Sequence, residues 1–522
     1  MPKIKRDCNV VEQLWQRQLS LIRNPYRVSL KILRKIVCDK HSTFVKVWES
    51  HSKQPILCED GKLYFNNYQT CLTLNGHNCL PSELYKLPPQ SKQKKIEDAV
   101  IYSGPVIDFT THVETYKSFF LGLTKDNWLN SYDNLTGKEL QNVYLGPPSR
   151  YRFKHVEWET HGENIVITSI QNQVRVQGTR PRVLVAIALM SVFPLEFIAL
   201  TEIDRKIFGN KCNHVNVSEG LLIVGYGSAT NGTIQLYNFR QLIKDGILYK
   251  AGLNKPCQEF DGQVVGCYPA GLPLNCKIRT APPVLFEVKC SDFNLHIGGH
   301  PWHYVTTPPR REGVFQICSL ADHTMAENGC LDFPNVSTEA DSVAFHSDDS
   351  GRLVYHAAHS IRFYKLHENT NGSMSLTECL TIDLEENEKI VRETFSQRRT
   401  QRVIKKKFNL DTIMACEKSI LSDDYENELD VYAVVGFAPG DDLHNGKIVL
   451  YDNETGHKIK TVRLDMKMDE LSDYTLTMDL ETFILLVKNK ISQYSCYIYR
   501  LESLPGKNAP RGRGKKSHHR TS

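Results

Sequence analysis

Although the chain holds 15 cysteines, it has no Cys-x-x-Cys pair, so the spacing of a redox dithiol or a zinc knuckle is absent. Cysteines scattered singly belong with reduced thiols in the cytosol or nucleus. No phosphate-cradling loop is present either. Gly225-Tyr226-Gly227-Ser228 lacks the third glycine of a dinucleotide fingerprint and the spacing of a nucleophile elbow. The N-terminal residues contain no apolar run like that of a secretory leader. The Asn-x-Ser/Thr sites at Asn134, Asn216, Asn231, Asn335, Asn371 and Asn453 are therefore read as turn residues rather than glycan acceptors. Charge is nearly balanced, with 64 Lys+Arg against 59 Asp+Glu and a net +5, too little to dictate a nucleic acid or membrane partner. With 41% hydrophobic and 24% charged residues, what remains is the composition of a soluble globular chain.

What the chain does have is a recurring hairpin. Two copies are close: Trp128 to Lys138 and Ile448 to Lys458 each contain Tyr-Asp-Asn-x-Thr-Gly between extended runs. Asp and Asn close such a turn with their side chains, and Gly accepts the positive φ. Looser copies follow strand period without the same turn, at Val183 to Leu189, Thr233 to Tyr237, Val314 to Leu320, Ile361 to Leu366 and Cys496 to Leu501. Further strand pairs precede several of them, as at Val156 to Ile167, Val215 to Val224 and Val343 to Tyr355, which completes a four-stranded unit. Steps of about 45 to 55 residues predict an all-β chain folded as a seven-bladed β-propeller, with two packed sandwiches as the alternative. Two oversized steps place insertions at about 242–290, rich in Gly, Pro and Cys, and about 367–430, charged.

Three further features stand out. Residues 9–39 carry a helical period: Val11, Leu14, Trp15, Leu19 and Ile22 share one face, and Asn24-Pro25 opens a second helix with Leu30, Leu33, Ile36 and Val37. The domain layout is then a helix-loop-helix over 1–40, the propeller over 41–503, and a basic tail over 504–522. Val183 to Ile203 is apolar enough to pass for a membrane span, yet Pro194 and Glu196 interrupt it, so two buried strands are expected, with a membrane anchor as the alternative. Basic residues cluster twice, at Arg398, Arg399, Arg402, Lys405, Lys406 and Lys407, and in the tail at Arg511, Arg513, Lys515 and Lys516. Such runs stay solvated and suit import receptors or RNA.

Catalytic chemistry finds little support. His300 and His303 stand three apart beside Pro301 and Trp302 without a third ligand at useful spacing, and turn packing is the simpler role. Cys257, Cys267, Cys276 and Cys290 have the wrong intervals for zinc, and Asp348-Asp349 and Asp441-Asp442 fall in expected loops. No cofactor or metal is expected.

The strings Ile297 to Tyr304 (Ile-Gly-Gly-His-Pro-Trp-His-Tyr), Lys206 to Asn210, Lys95 to Ala99 and Glu428 to Asp430 resemble the vertebrate damage-binding-protein-and-cullin-4-associated factor 17 family. The likeness runs from about Leu33 to about Tyr499. It implies a non-enzymatic substrate receptor of a cullin-4 RING E3 ubiquitin ligase, nuclear and enriched in nucleoli. Such a receptor binds the adaptor, damage-binding protein subunit 1, with one surface and a protein substrate with another; cullin-4 and the RING subunit are reached indirectly. One departure stands out. Many receptors of this class carry Trp-Asp-x-Arg at blade ends, but none of Trp15, Trp48, Trp128, Trp158 and Trp302 is followed by Asp. Adaptor docking therefore moves to the N-terminal helical pair, with Leu14, Trp15, Leu19, Ile22, Leu30 and Leu33 as anchors and Trp15 foremost. Nuclear targeting falls to the two basic clusters. A nucleolar scaffold binding RNA or ribosome-assembly factors is the alternative.

Overall fold

Short β-branched and aromatic runs fold back on one another throughout the computed structural model. It describes residues 29–503 apart from 60, 75–79, 108–113, 160–163, 172–181, 193–194, 254–257, 261–262, 266–270, 292, 294, 300–301, 312, 333–341, 358–359, 384–419, 438–444 and 470. The described strands build six separate four-stranded sheets, one eight-stranded sheet made of two four-stranded sets, and a two-stranded pair of Gln258–Phe260 with Gln263–Val265. In chain order the sets span 57–86, 96–144, 153–204, 212–290, 295–332, 342–383, 420–467, and 473–503 joined by Ser42–Ser52. Each is an antiparallel meander, and in the last a strand from the start of the chain is the outermost, beside Tyr494–Ser503.

The cores explain why the sets stack in series. One apolar cluster is shared by the first and second sets, through Tyr64, Tyr85, Phe120 and Tyr132. Others join the second to the third, the third to the fourth, the fourth to the fifth and the fifth to the sixth. A further cluster joins the seventh to the eighth through Val431, Leu450, Phe483 and Leu485. A four-stranded sheet buried on both faces against like sheets is a blade, and the fold class is an all-β propeller. The chain divides into two compact units, one of Met1–His51, His77–Leu80 and Leu380–Ser522, the other of Ser52–Gly76 and Pro81–Cys379.

The seven runs picked out by sequence all prove to be third strands of their sets: Trp128–Asp133, Val183–Ser191, Asn231–Asn238, Val314–Ser319, Ser360–Glu368, Asn445–Asp452 and Tyr494–Ser503. The seven runs leave out the first set. Its strands, Leu57–Glu59, Lys62–Phe65, Thr70–Thr73 and Ser82–Lys86, are only three to five residues long. Its central turn has left-handed backbone at Asn66, Asn67 and Tyr68, with φ of 54°, 56° and 63°, so no glycine marks it.

The apolar stretch near residue 190 is a hairpin. Val183–Ser191 pairs with Glu196–Asp204, Ile187 opposite Thr201 and Ala188 opposite Leu200. Among the described residues no helix is long and apolar enough to cross a membrane.

Both expected insertions contain blade strands. Phe286–Cys290, inside the first, is the outermost strand of the fourth set, and Met374–Asp383 and Ile420–Glu426, inside the second, belong to the sixth and seventh. The first insertion also covers a sheet edge. Asn275 accepts from the Leu200 amide at 2.9 Å and donates to the Ile198 carbonyl at 3.0 Å, which occupies the open ladder of the third set's outer strand.

Candidate partner-docking surface

Residues 29–38 are helical, and Leu30, Leu33 and Val37 fall on one stripe of that helix. Val37 is fully buried, and Leu30 and Leu33 pack against the cluster shared by the seventh and eighth sets. These two leucines, expected on a partner-facing stripe, thus serve the fold. The aliphatic residues turned outward are Ile32, 53% exposed, and Ile36, 38% exposed.

Polar contacts fix the helix at its middle and past its C-terminal end. Arg34 donates from Nη2 to Asp452 Oδ2 at 2.6 Å, with Nη1 3.7 Å from Asp430 Oδ2. Past the last turn, Lys460 Nζ donates to the carbonyls of Asp39 at 3.0 Å and Ser42 at 2.7 Å, which sets a cation beside the C-terminal end of the helix. The Ser42 hydroxyl donates to the Ile36 carbonyl. Burial pulls the Lys460 pKa down. Burial also pushes the Asp452 carboxyl upward, but the Thr455 hydroxyl and amide and the Arg34 guanidinium outweigh it, and its pKa is lowered.

Asp452 is held ready by its turn. Its Oδ1 accepts from the Thr455 amide at 2.9 Å and hydroxyl at 2.7 Å, while the Gly456 amide donates to the Asp452 carbonyl at 2.8 Å with φ of 67°. The other copy is built the same way. Asp133 Oδ1 accepts from the Leu135 and Thr136 amides at 2.9 and 2.8 Å, and Gly137 has φ of 68°. Asn134 beside it is fully buried; its Oδ1 accepts from Tyr64 Oη at 3.0 Å and Tyr85 Oη at 2.9 Å, and its Nδ2 donates to Ser118 Oγ at 3.0 Å. Asn134 and Asn453 are therefore interior residues, although the sequence places them in turns.

Leu14, Trp15, Leu19 and Ile22 lie outside the described residues, as do Arg398, Arg399, Lys405, Lys406 and Lys407 and Arg511, Arg513, Lys515 and Lys516. His300 and Pro301 also lie outside them, whereas Trp302 is 63% exposed and His303 begins a buried strand. Among the described residues no three His, Cys, Asp or Glu side chains are grouped to hold a metal ion. Sequence reasoning missed Arg34, Lys460 and Asp452 as one constellation, since Arg34 lies 418 residues from Asp452 along the chain. The signal was the Asp of the repeated turn.

Residues 28–501 match the family model of DDB1- and CUL4-associated factor 17. The chain belongs to that family. The factor 17 of Homo sapiens is 34% identical over 514 residues, covering 95% of this chain and 96% of the human protein. That of Danio rerio is 33% identical over 488 residues, covering 91% and 90%. The factor 17 match runs through the described helix at 29–38 and into the last strand, Tyr494–Ser503. Among solved structures, the β-propeller domain of Myceliophteria thermophila Cps50 (Swd1) aligns at a TM-score of 0.34 and 7% identity over 77% of this chain and 99% of that domain.

Proposed function

We propose that this protein is a non-enzymatic substrate receptor of a cullin-4 RING E3 ubiquitin ligase, binding the adaptor DDB1 with one surface and a protein substrate with another. The observation that carries the reading is membership of the DDB1- and CUL4-associated factor 17 family across residues 28–501. The helix at 29–38 supports a division of labour at the N-terminus. Its inner stripe belongs to the fold, so adaptor contact falls to Leu14, Trp15, Leu19 and Ile22 ahead of it, extended by the outward Ile32 and Ile36. Trp at the centre of an apolar face is a frequent hot spot.

Replacing Trp15 and Leu19 together by alanine removes the largest apolar groups of the upstream face. Adaptor affinity should fall at least tenfold if each truncation costs about 1 kcal/mol or more, with the thermal melt of the protein unchanged. Copurification with cullin-4 and its adaptor tests the receptor reading itself. A double variant that melts normally and binds the adaptor at full affinity rejects the N-terminal docking site, and failure of the unaltered chain to bind the adaptor at all rejects the ligase reading.

A further inference from the structure

The two Tyr-Asp-Asn-x-Thr-Gly copies are equivalent beyond the turn. In both, the strand pairing slips by one residue at the same place, between Ser131 and Tyr132 in the second set and between Leu450 and Tyr451 in the seventh. Each turn glycine also approaches the preceding outer strand, a Cβ on Gly137 falling 2.6 Å from the Tyr85 ring and one on Gly456 falling 2.4 Å from Leu380. Position by position, Asp133 then corresponds to Asp452, Leu140 to Ile459 and Gln141 to Lys460.

These ledges differ in what lies on them. In the seventh set, Asp452 takes Arg34 and Lys460 takes the end of the same helix, with Ile459 between them half-buried against the cluster that holds Leu30 and Leu33. In the second set no helix among the described residues lies on the ledge: Leu135 is 58% exposed, Leu140 is 50% exposed, and no described cation pairs with Asp133. The reason is a difference in chain length. Helix 29–38 is the segment leading into the outer strand of the eighth set, whereas the third set enters its outer strand through the short link 192–195, from which the Leu195 carbonyl accepts from Gln141 at 2.9 Å.

We propose that Asp133, Leu135 and Leu140 form a docking ledge for an amphipathic helix of a partner protein, one with aliphatic residues on its inner face and an arginine one turn away. The chain's own helix shows the chemistry on the equivalent ledge, where aliphatic side chains pack on the sheet and a guanidinium meets the turn carboxylate. The carboxylate of Asp133 complements a basic helix, and Leu135 and Leu140 supply apolar area to exclude water around the ion pair. This inference is independent of the ligase reading.

The probe is a labelled synthetic peptide of residues 27–40 with Cys38→Ser, titrated against the full-length protein. Saturable binding is expected, weakened at least tenfold by Leu140→Glu, which changes an exposed side chain, and by Asp133→Asn, which keeps the Oδ1 acceptor of the turn while removing the charge. Arg34→Glu in the peptide should weaken it equally. No binding of the peptide, or binding unchanged by Leu140→Glu and Asp133→Asn in proteins that melt normally, overturns the proposal. Loss of binding on Asp452→Asn with none on Asp133→Asn does so too, since the peptide would then be exchanging with the resident helix.

Discussion

Asn134 is a surface turn residue by sequence and a core residue by position. Its side chain joins two buried phenols and a serine in three hydrogen bonds. Truncation to alanine deprives Tyr64 and Tyr85 of a shared acceptor in a buried site, and the expected loss is about 3 kcal/mol. Denaturant unfolding reads this as a lowered midpoint at unchanged slope; a loss under about 1 kcal/mol would show the phenols finding other partners. The same cluster sets an alkaline limit. Burial, with Cys71 next for Tyr64 and Tyr85, raises the pKa of both phenols, and burial raises that of Tyr68. In the unfolded chain a phenol loses its proton near pH ~10, so above that pH the native state holds more protons than the unfolded one. The stabilisation is complete below this pH and is lost as pH rises beyond it. Phenolate absorbance should therefore grow together with loss of near-ultraviolet circular dichroism. Titration of these tyrosines in a chain with an intact dichroism spectrum would contradict their burial.

At the scale of the element, the hairpin Val183–Ser191 and Glu196–Asp204 shows how a membrane-like composition arises without a membrane. A blade strand lies between two other sheets, so both its faces are apolar and the polar alternation of a one-sided sheet disappears. Ile187 is 1% exposed in the cluster joining the third and fourth sets. Ile187→Asp strands a charge there at a cost of several kcal/mol. The variant should collect in the insoluble fraction while the unaltered protein is recovered without detergent. Detergent-dependent recovery of the unaltered chain would defeat this account. Periodicity could show the strands here but not their setting, because an apolar run looks the same whether sheets or lipid surround it.

For the molecule as a whole, the two basic clusters are proposed as its nuclear and nucleolar address. Residues 507–520 contain Lys507, Arg511, Arg513, Lys515, Lys516 and Arg520 with no acid and almost no apolar surface to bury. Deletion of 507–522 should leave the melting temperature unchanged and lower nuclear or nucleolar enrichment, as imaged with a fluorescent fusion. If enrichment persists, the cluster at Arg398 to Lys407 carries the address; if it also persists after that cluster is removed, neither does.

By itself the sequence determined the features that depend on neighbours along the chain. The Asp-Asn-x-Thr-Gly turn is closed by its own side chains and a left-handed glycine, so its strands and the blade repeat could be read at Trp128–Asp133 and Asn445–Asp452. The helical stripe of Leu30, Leu33 and Val37 was legible for the same reason. Tertiary structure decided what those features touch. It turned Leu30 and Leu33 inward and left Ile32 and Ile36 outward, and it brought Arg34 to Asp452 across 418 residues. It also revealed the first set, whose short strands are held less by local propensity than by packing of Tyr64, Cys71 and Tyr85 on Phe120 and Tyr132. Contacts between residues so far apart leave no spacing to read, and which of two equivalent ledges is covered depends on the length of chain that folding brings over it.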